Sequence, residues 1–191
     1  MIVSWEWLRD YVPLEAPLDD VVCRLTMAGL KVESQTPAGA DWAIDVEVTS
    51  NRPDCLGHLG IARELSVLFG QPLEFPNPTF AEAAAKTADA TSVTVECPEL
   101  CPQYYARVIR GVKVGPSPAW LARRLEAIGQ PSINNVVDIT NFVLMECGQP
   151  LHAFDLDRLR GHRIVVRRGK PGEKIVAINQ KTYELSPEMC V

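Results

Sequence analysis

The amino-acid sequence predicts an α+β fold, with a small N-terminal domain of helices and strands followed by an incomplete α/β domain. Two observations lead to this prediction. Segments with the apolar spacing of a helix are interspersed with short segments in which every second residue is apolar. A stretch rich in proline and alanine then separates two such groups. We therefore predict a first domain over residues 1–75, a linker over residues 76–91 and a second domain over residues 92–191.

Two helices are predicted at the beginning of the chain. Ser4 is a typical N-cap for a short helix over residues 5–11, and Pro13 ends that helix. The apolar residues of a second helix, over residues 18–28, recur at positions i, i+3, i+4 and i+7. Gly29 then supplies the residue with positive φ that commonly follows a helix.

Strands and a third helix complete the first predicted domain. Residues 31–33 begin one strand, and residues 44–48 alternate with the period of a half-buried strand. The small residues of 34–40 are predicted to connect the two strands. Asp54 is predicted to cap a helix that ends at Gly70.

The second predicted domain has strands at both ends and helices between them. Ser117 is predicted to cap a helix that has proline at its first position and ends before Gly129. Residues 189–191 begin a strand that has no evident partner, so we expect the sheet to be incomplete. The remaining predicted elements are a helix over residues 136–146 and strands over residues 92–96, 104–114, 163–168, 174–178 and 182–185.

Composition excludes several classes of protein. No apolar run is long enough to span a bilayer, and the N-terminus lacks the basic and apolar regions of a secretory signal. A net charge of −5 gives no overall electrostatic attraction to nucleic acid. The six cysteines include no C-x-x-C pair. A disulfide framework and scattered reduced thiols are both compatible with them, and we favour reduced thiols in a cytoplasmic protein.

Four long stretches of the sequence resemble the beta subunit of bacterial phenylalanyl-tRNA synthetase. They are LTMAGLKVE (25–33), VEVTSNRPDCLGHLGIARE (46–64), ARVIRGVKVGPSPAWLARRL (106–125) and INNVVDITNFVLMECGQPLHAFD (133–155). They follow one another in the order of that family. The resemblance implies a small N-terminal domain followed by the first part of the domain that edits mischarged tRNA.

This resemblance implies the function of a ligase subunit. The enzyme of this family attaches phenylalanine to tRNA(Phe) with ATP and magnesium, and it hydrolyses tyrosyl-tRNA formed by mistake. We expect no cofactor in this chain, because the family's ATP site lies in the other subunit. The implied partners are the alpha subunit, within an alpha2-beta2 heterotetramer, and tRNA(Phe), and no membrane is expected.

The chain departs from the family pattern in two places. A tRNA-binding domain of the OB type is usually inserted between the first two stretches, but only residues 34–45 join them here. The sequence also stops at Val191, within the editing domain. We therefore expect a truncated chain that is inactive alone.

Three residues match the family's editing pocket: Thr140, Asn141 and His152. The resemblance implies that His152 binds the terminal ribose and the ester of the tRNA, and that Thr140 and Asn141 position the substrate or water. A carboxylate and small residues from later in the family's domain would complete the pocket, so we expect half a site, no complete catalytic set and no metal site. From the residues alone, His152 is better explained as a packing or capping residue than as a functional one.

A structural role is the alternative to a catalytic one. The chain can act as a module that holds subunits together, and a free-standing editing hydrolase is disfavoured by the early stop. The cluster Asn51-Arg52-Pro53-Asp54 is explained by a turn and a helix cap. Trp5, Trp7 and Trp120 belong either to the core or to an interface with a partner subunit.

Overall fold

The computed structural model describes residues 1–191 and confirms the mixed α+β class. The chain forms two compact units, each built from two separate stretches. The first unit contains Met1–Thr79 and Lys113–Ala153, and the second contains Phe80–Val112 and Phe154–Val191. The two compact units therefore differ from the predicted domains, which were continuous in sequence. Residues 113–153 belong to the same unit as the N-terminal stretch, whereas they were predicted to belong to the second domain.

Five helices and seven strands make up the regular structure, apart from four single turns of 3₁₀-helix. No helix combines the length and the apolar character needed to cross a bilayer. In chain order the elements are β1 (Ile2–Ser4), α1 (Trp5–Arg9), α2 (Leu18–Met27), β2 (Val32–Ala38), β3 (Asp41–Val46), α3 (His58–Phe69), β4 (Ser92–Val95), α4 (Ala119–Ala127), α5 (Asn135–Cys147), β5 (Arg163–Val166), β6 (Lys174–Val176) and β7 (Thr182–Glu184).

An antiparallel sheet with the strand order β1-β3-β2 lies in the first unit. β2 is longer than predicted, because part of the stretch 34–40 pairs with β3 instead of forming a loop. In this pairing Thr36 lies opposite Ala43, and Ala38 lies opposite Asp41. The tight turn that follows Ala38 uses the positive φ of Gly39.

The first two helices form as predicted. The hydroxyl oxygen of Ser4 accepts a hydrogen bond from the backbone N–H of Trp7 at 3.0 Å and so caps α1. Val21 and Leu25 on α2 are fully buried. Trp5 and Trp7 lie in the core of their own chain, so the hypothesis that they pack against a partner subunit is wrong for both.

The helix cap predicted at Asp54 is wrong. α3 begins at His58 with Gly57 at the N-cap position, and Asp54 lies in the preceding 3₁₀ turn. Gly60 allows this turn to pack closely against α3, because a Cβ atom at that position would lie 1.9 Å from the backbone oxygen of Asp54. The close approach of the turn leaves Asp54 to bind Arg52 and Arg63 with its side chain.

The last two helices of the first unit also follow the predicted pattern, with one correction. α4 begins after Pro118, and the Ser117 side chain binds Asp138 instead of capping this helix. Trp120 is half exposed, whereas Leu121, Leu125 and Ile128 are buried. α5 is capped by Asn134, whose side-chain oxygen accepts from the N–H groups of the second and third helical residues.

The second unit contains two small sheets. β4 and β5 pair in parallel, and β6 and β7 form an antiparallel hairpin. The strand predicted over residues 104–114 is absent, and Tyr105 and Ile109 in this segment are exposed, because no neighbouring strand pairs with it. Residues 189–191, by contrast, do have a partner, since Arg167 and Val191 exchange two backbone hydrogen bonds.

The close approach at Gly60 leads to a stability prediction. A helix interior normally gains about 1 kcal/mol when glycine is replaced by alanine. Here we expect Gly60→Ala to lower the free energy of unfolding by about 2 kcal/mol, because the new methyl group meets backbone and not a movable side chain. Gly115→Ala is the control, because a Cβ atom there meets nothing within 4 Å. Urea unfolding of both variants is the measurement, and a Gly60→Ala variant as stable as the parent would contradict the packing.

Candidate functional site

The helix that carries two of the three predicted site residues, α5, is held at its beginning by a buried carboxylate. Asp138 accepts hydrogen bonds from the hydroxyls of Ser117 at 2.5 Å and Ser132 at 2.6 Å, and from the backbone N–H of Ile133 at 2.9 Å. Burial acts to raise the pKa of Asp138, but these donors outweigh it and lower the pKa below its usual value. An ionised Asp138 thus ties α5 to the segments that precede α4 and α5.

The other end of α5 is held by a buried histidine. His58 accepts from the backbone N–H of Ser4 through Nε2 at 3.0 Å. Its Nδ1 lies 2.7 Å from the carbonyl oxygen of Met145. Since the carbonyl can only accept, Nδ1 carries the proton and the ring is the neutral tautomer. Burial lowers the pKa of His58 to about 4.

Aromatic rings fill the space between these elements. Trp7 stacks on the imidazole of His58 with ring centroids 3.8 Å apart, and on Phe142 of α5 with centroids 4.4 Å apart. Trp120 of α4 meets Phe142 edge-on at 5.5 Å. The stack therefore joins α1, α3, α4 and α5 through ring contacts that favour defined orientations.

A hydrogen-bonded chain runs beside the ring stack. The indole N–H of Trp7 donates to the Tyr11 hydroxyl at 2.6 Å, and that hydroxyl donates to Oε1 of Glu146 at 2.6 Å. Burial, followed by the nearby Glu146 carboxylate, raises the pKa of Tyr11 well above its usual range. Tyr11 therefore stays protonated and links α1 to the last turn of α5.

An open groove of about 460 Å³ lies beside this chain of contacts. The Arg124 guanidinium pairs with Asp10 and lies 5.6 Å from the ring centroid of Trp120. The groove thus offers exposed aromatic surface beside charged groups of both signs. Its lining residues are Asp10, Tyr11, Glu74, Phe75, Pro76, Trp120, Arg124, Phe142 and Glu146.

The three residues predicted to form the editing half-site do not line this groove. Thr140 and Asn141 are half-buried neighbours on α5. Thr140 lies about 200° around the helix axis from Phe142, and thus on the opposite side of α5 from the ring stack. The Thr140 hydroxyl donates to the carbonyl oxygen of Val137 at 2.7 Å. His152 is exposed in the loop after α5, beyond the positive-φ residue Gly148.

A cluster of acidic groups and a thiol lies at the turn before α3. Asp54, Cys55 and Glu64 present ligand atoms close enough to surround a metal ion. The Arg52 guanidinium already fills the centre, with Nη2 lying 2.7 Å from Glu64, 3.0 Å from Asp54 and 3.1 Å from the Cys55 sulfur. Hydrogen bonds from Arg52 hold the pKa of Asp54 well below its usual range. The cluster is therefore an ion-pair network, in agreement with the structural interpretation of this segment.

Sequence reasoning missed the residues that position α5. His58 and Met145 are 87 positions apart in the chain, and Tyr11 and Glu146 are 135 positions apart. Nothing in the local sequence around Tyr11 or Glu146 indicates a buried pair. The histidine at the start of α3 was a detectable signal, because a buried imidazole needs two polar partners.

Comparison with known proteins gives matches to one family of ligase subunits. Residues 100–191 match the B3/4 domain family. The whole chain is 51% identical to a phenylalanine–tRNA ligase beta subunit from Rhodopirellula baltica and spans 28% of its length. Subunits of the same name from Anaeromyxobacter dehalogenans and Moorella thermoacetica are 55% and 50% identical over 78% and 79% of the chain, which spans 18% and 19% of their lengths.

One of these alignments bears on the short junction over residues 34–45. The Rhodopirellula baltica subunit aligns over 191 positions, which is the number of residues in this chain. A relative with a domain inserted at the junction would need many more positions. The short junction, observed here as the β2–β3 hairpin, is therefore shared with that relative.

The lowered pKa of His58 predicts a loss of stability in acid. An unfolded histidine has a pKa near 6.5, whereas His58 in the folded chain has a pKa of about 4. Above pH 6.5 the imidazole is neutral in both states and its contribution to stability is complete. As the pH falls toward 4 the unfolded chain binds a proton first, and about 3 kcal/mol of stability is lost.

His58→Gln removes this titration while keeping a polar side chain. We expect the difference in unfolding free energy between the parent and His58→Gln to shrink by about 2 kcal/mol between pH 7 and pH 4.5. His162→Gln is the matched control for the substitution itself, since His162 is exposed. Urea unfolding at both pH values is the measurement. A difference for His58→Gln that is constant with pH would show that the buried imidazole is not held neutral.

Proposed function

Because this chain belongs to the family of phenylalanine–tRNA ligase beta subunits, we propose that it contributes to charging tRNA(Phe) with phenylalanine and to hydrolysing mischarged tyrosyl-tRNA. The observation that carries the proposal is identity of about one residue in two along the whole chain. The proposed partners are the ligase alpha subunit, in an alpha2-beta2 heterotetramer, and tRNA(Phe). The proposed location is the cytoplasm, where tRNA is charged.

The chemical need for editing supports the second activity. Tyrosine and phenylalanine differ by one hydroxyl, and an apolar pocket rejects an added hydroxyl only weakly. A second site that binds the hydroxyl with polar groups can remove tyrosine, because phenylalanine would leave those groups unpaired at a cost of about 1–3 kcal/mol. The B3/4 match over residues 100–191 includes all three residues proposed for this site, Thr140, Asn141 and His152.

The structure of α5 is compatible with the proposed roles. Thr140 and Asn141 lie on a helix that is fixed at both ends, by Asp138 and by His58, so their positions are well defined. The Thr140 hydroxyl donates to Val137 and retains lone pairs that can accept from a substrate or from water. His152 is exposed and so accessible to the ester of a bound tRNA. Hydrolysis would also require a group that activates water.

Magnesium and ATP are proposed for the whole ligase and not for this chain. The cluster around Asp54 offers two carboxylates and a thiol as donors. A thiol is a poor ligand for so hard a cation, and Arg52 already occupies the centre with its own positive charge. These residues therefore do not fit magnesium, and no step of the reaction is assigned to them.

A structural role is the second candidate function. The observation in its favour is the half-exposed Trp120, which continues the buried ring stack toward the surface beside the exposed Phe75. Tryptophan with one face buried and one exposed is common at protein interfaces. In this alternative the first unit supports the alpha subunit, and Thr140, Asn141 and His152 take no part in hydrolysis.

An assay of tyrosyl-tRNA(Phe) hydrolysis by the purified chain tests whether this chain carries half of the editing site or all of it. We expect neither the chain nor its His152→Ala variant to exceed the spontaneous rate, because Thr140, Asn141 and His152 make up only half of the pocket that the family resemblance implies. His162→Ala is the matched control for loss of an exposed imidazole. Hydrolysis by the parent that only His152→Ala removes would instead mean that this chain carries a complete editing site.

Binding of the alpha subunit to the purified chain tests the alternative, structural role. Binding of alpha that Trp120→Ala weakens, with hydrolysis still at the spontaneous rate, is the result expected for a supporting module. Trp42→Ala is the control, because Trp42 is also partly exposed but lies on β3, away from the groove. Retention of full alpha binding by Trp120→Ala would exclude Trp120 from the interface.

A further inference from the structure

Two cysteines meet in the second unit although they lie far apart in sequence. Cys97 follows β4 and is buried, and Cys190 lies opposite Arg168 in an antiparallel bridge. Their sulfur atoms are 3.8 Å apart and the residues are separated by 93 positions. All six thiols of the chain are free in this structure.

We propose that Cys97 and Cys190 are a reversible thiol–disulfide site, oxidised by a small-molecule disulfide such as oxidised glutathione. The Cys190 thiolate attacks one sulfur of the oxidant, and a glutathione thiolate leaves. The Cys97 thiol gives its proton to water and attacks the Cys190 sulfur, and the second glutathione thiolate leaves. Two protein thiols are oxidised, and one glutathione disulfide is reduced to two thiols.

The solvent exposure of the two cysteines determines which thiol attacks first. Cys190 is exposed and can meet the oxidant, whereas Cys97 is 2% exposed. Burial, followed by the contact with the Cys190 thiol, raises the pKa of Cys97, so its thiolate is scarce until a mixed disulfide lies beside it. The Arg168 guanidinium, which lies next to this pair in the sheet, binds Glu99.

The backbone around the pair permits the bond with a limited movement. A disulfide requires a sulfur separation of about 2.05 Å, so the two atoms must approach by about 1.8 Å. The segment that carries Cys190 is held by three backbone hydrogen bonds, two between Arg167 and Val191 and one from Gly169 to Met189. This three-residue pairing is short, so rotation of the two side chains and a small shift of the segment can close the gap. A bond would then fix residues 189–191 against the β4–β5 pair.

Metal binding is the competing use of two thiols at this distance. Thiolates on one tetrahedral metal ion also lie at about this separation, but a stable site needs further ligands. The one group of three or more potential ligands in the chain is Asp54, Cys55 and Glu64, which includes neither cysteine of the pair. The geometry around Cys97 and Cys190 therefore favours a disulfide.

The test is oxidation of the purified chain by mixtures of oxidised and reduced glutathione, with a chelator present, followed by peptide mapping under non-reducing conditions. We expect a peptide linked through Cys97 and Cys190, lighter by two hydrogen atoms and fully restored by reductant. Cys97→Ser should stop the reaction at a glutathione adduct on Cys190, and Cys190→Ser should leave Cys97 unmodified. Cys147→Ser is the matched control, because Cys147 is exposed but belongs to the first unit, and it should leave the link unchanged.

Oxidation in urea tests the proposal without variants. In urea the selectivity for the Cys97–Cys190 disulfide should disappear, because it is the folded chain that brings these two sulfurs together. A glutathione adduct on Cys190 with no linked peptide, a disulfide between two chains, or links to the other four cysteines at equal yield would each overturn the proposal.

Discussion

Trp7 stacks on the imidazole of His58 and on the ring of Phe142, and these two contacts join three helices of the first unit. The two rings that contact the indole come from different helices, and the indole N–H donates to Tyr11. The stack buries large apolar surface while satisfying the one polar atom of the indole. Three elements therefore have little freedom to move relative to Trp7.

The position of α5 depends on this stack. Phe142 is held by the rings, the carbonyl of Met145 by His58, and the Glu146 carboxylate by Tyr11. These contacts lie on one side of the last turns of the helix. The other side carries Thr140, whose proposed role in editing requires a fixed position more than it requires burial. The contacts on one side of α5 therefore fix the position of Thr140 on its other side.

Local features of the fold were predictable from the sequence, and distant pairings were not. The cap at Ser4 and the helix end at Gly29 depend only on neighbouring residues, and both predictions are confirmed. Asp54 failed as a cap because it belongs to a 3₁₀ turn that packs against Gly60 of the helix, a contact that no local pattern reveals. The strand predicted over residues 104–114 does not form because a strand also needs a partner. The site residues were predicted from resemblance alone. The contacts that hold their helix join residues 87 and 135 positions apart, which local patterns do not reveal.

A double-mutant cycle on Trp7 and Phe142 tests this account most directly. Each residue is replaced by leucine, singly and together, and the free energy of unfolding in urea is measured. The stack predicts a coupling energy of about 1 kcal/mol between the two substitutions. The same cycle with Trp42→Leu in place of Trp7→Leu should be additive, because Trp42 lies on β3 and is partly exposed. Additivity of Trp7→Leu and Phe142→Leu would contradict the claim that this stack joins helices of the first unit.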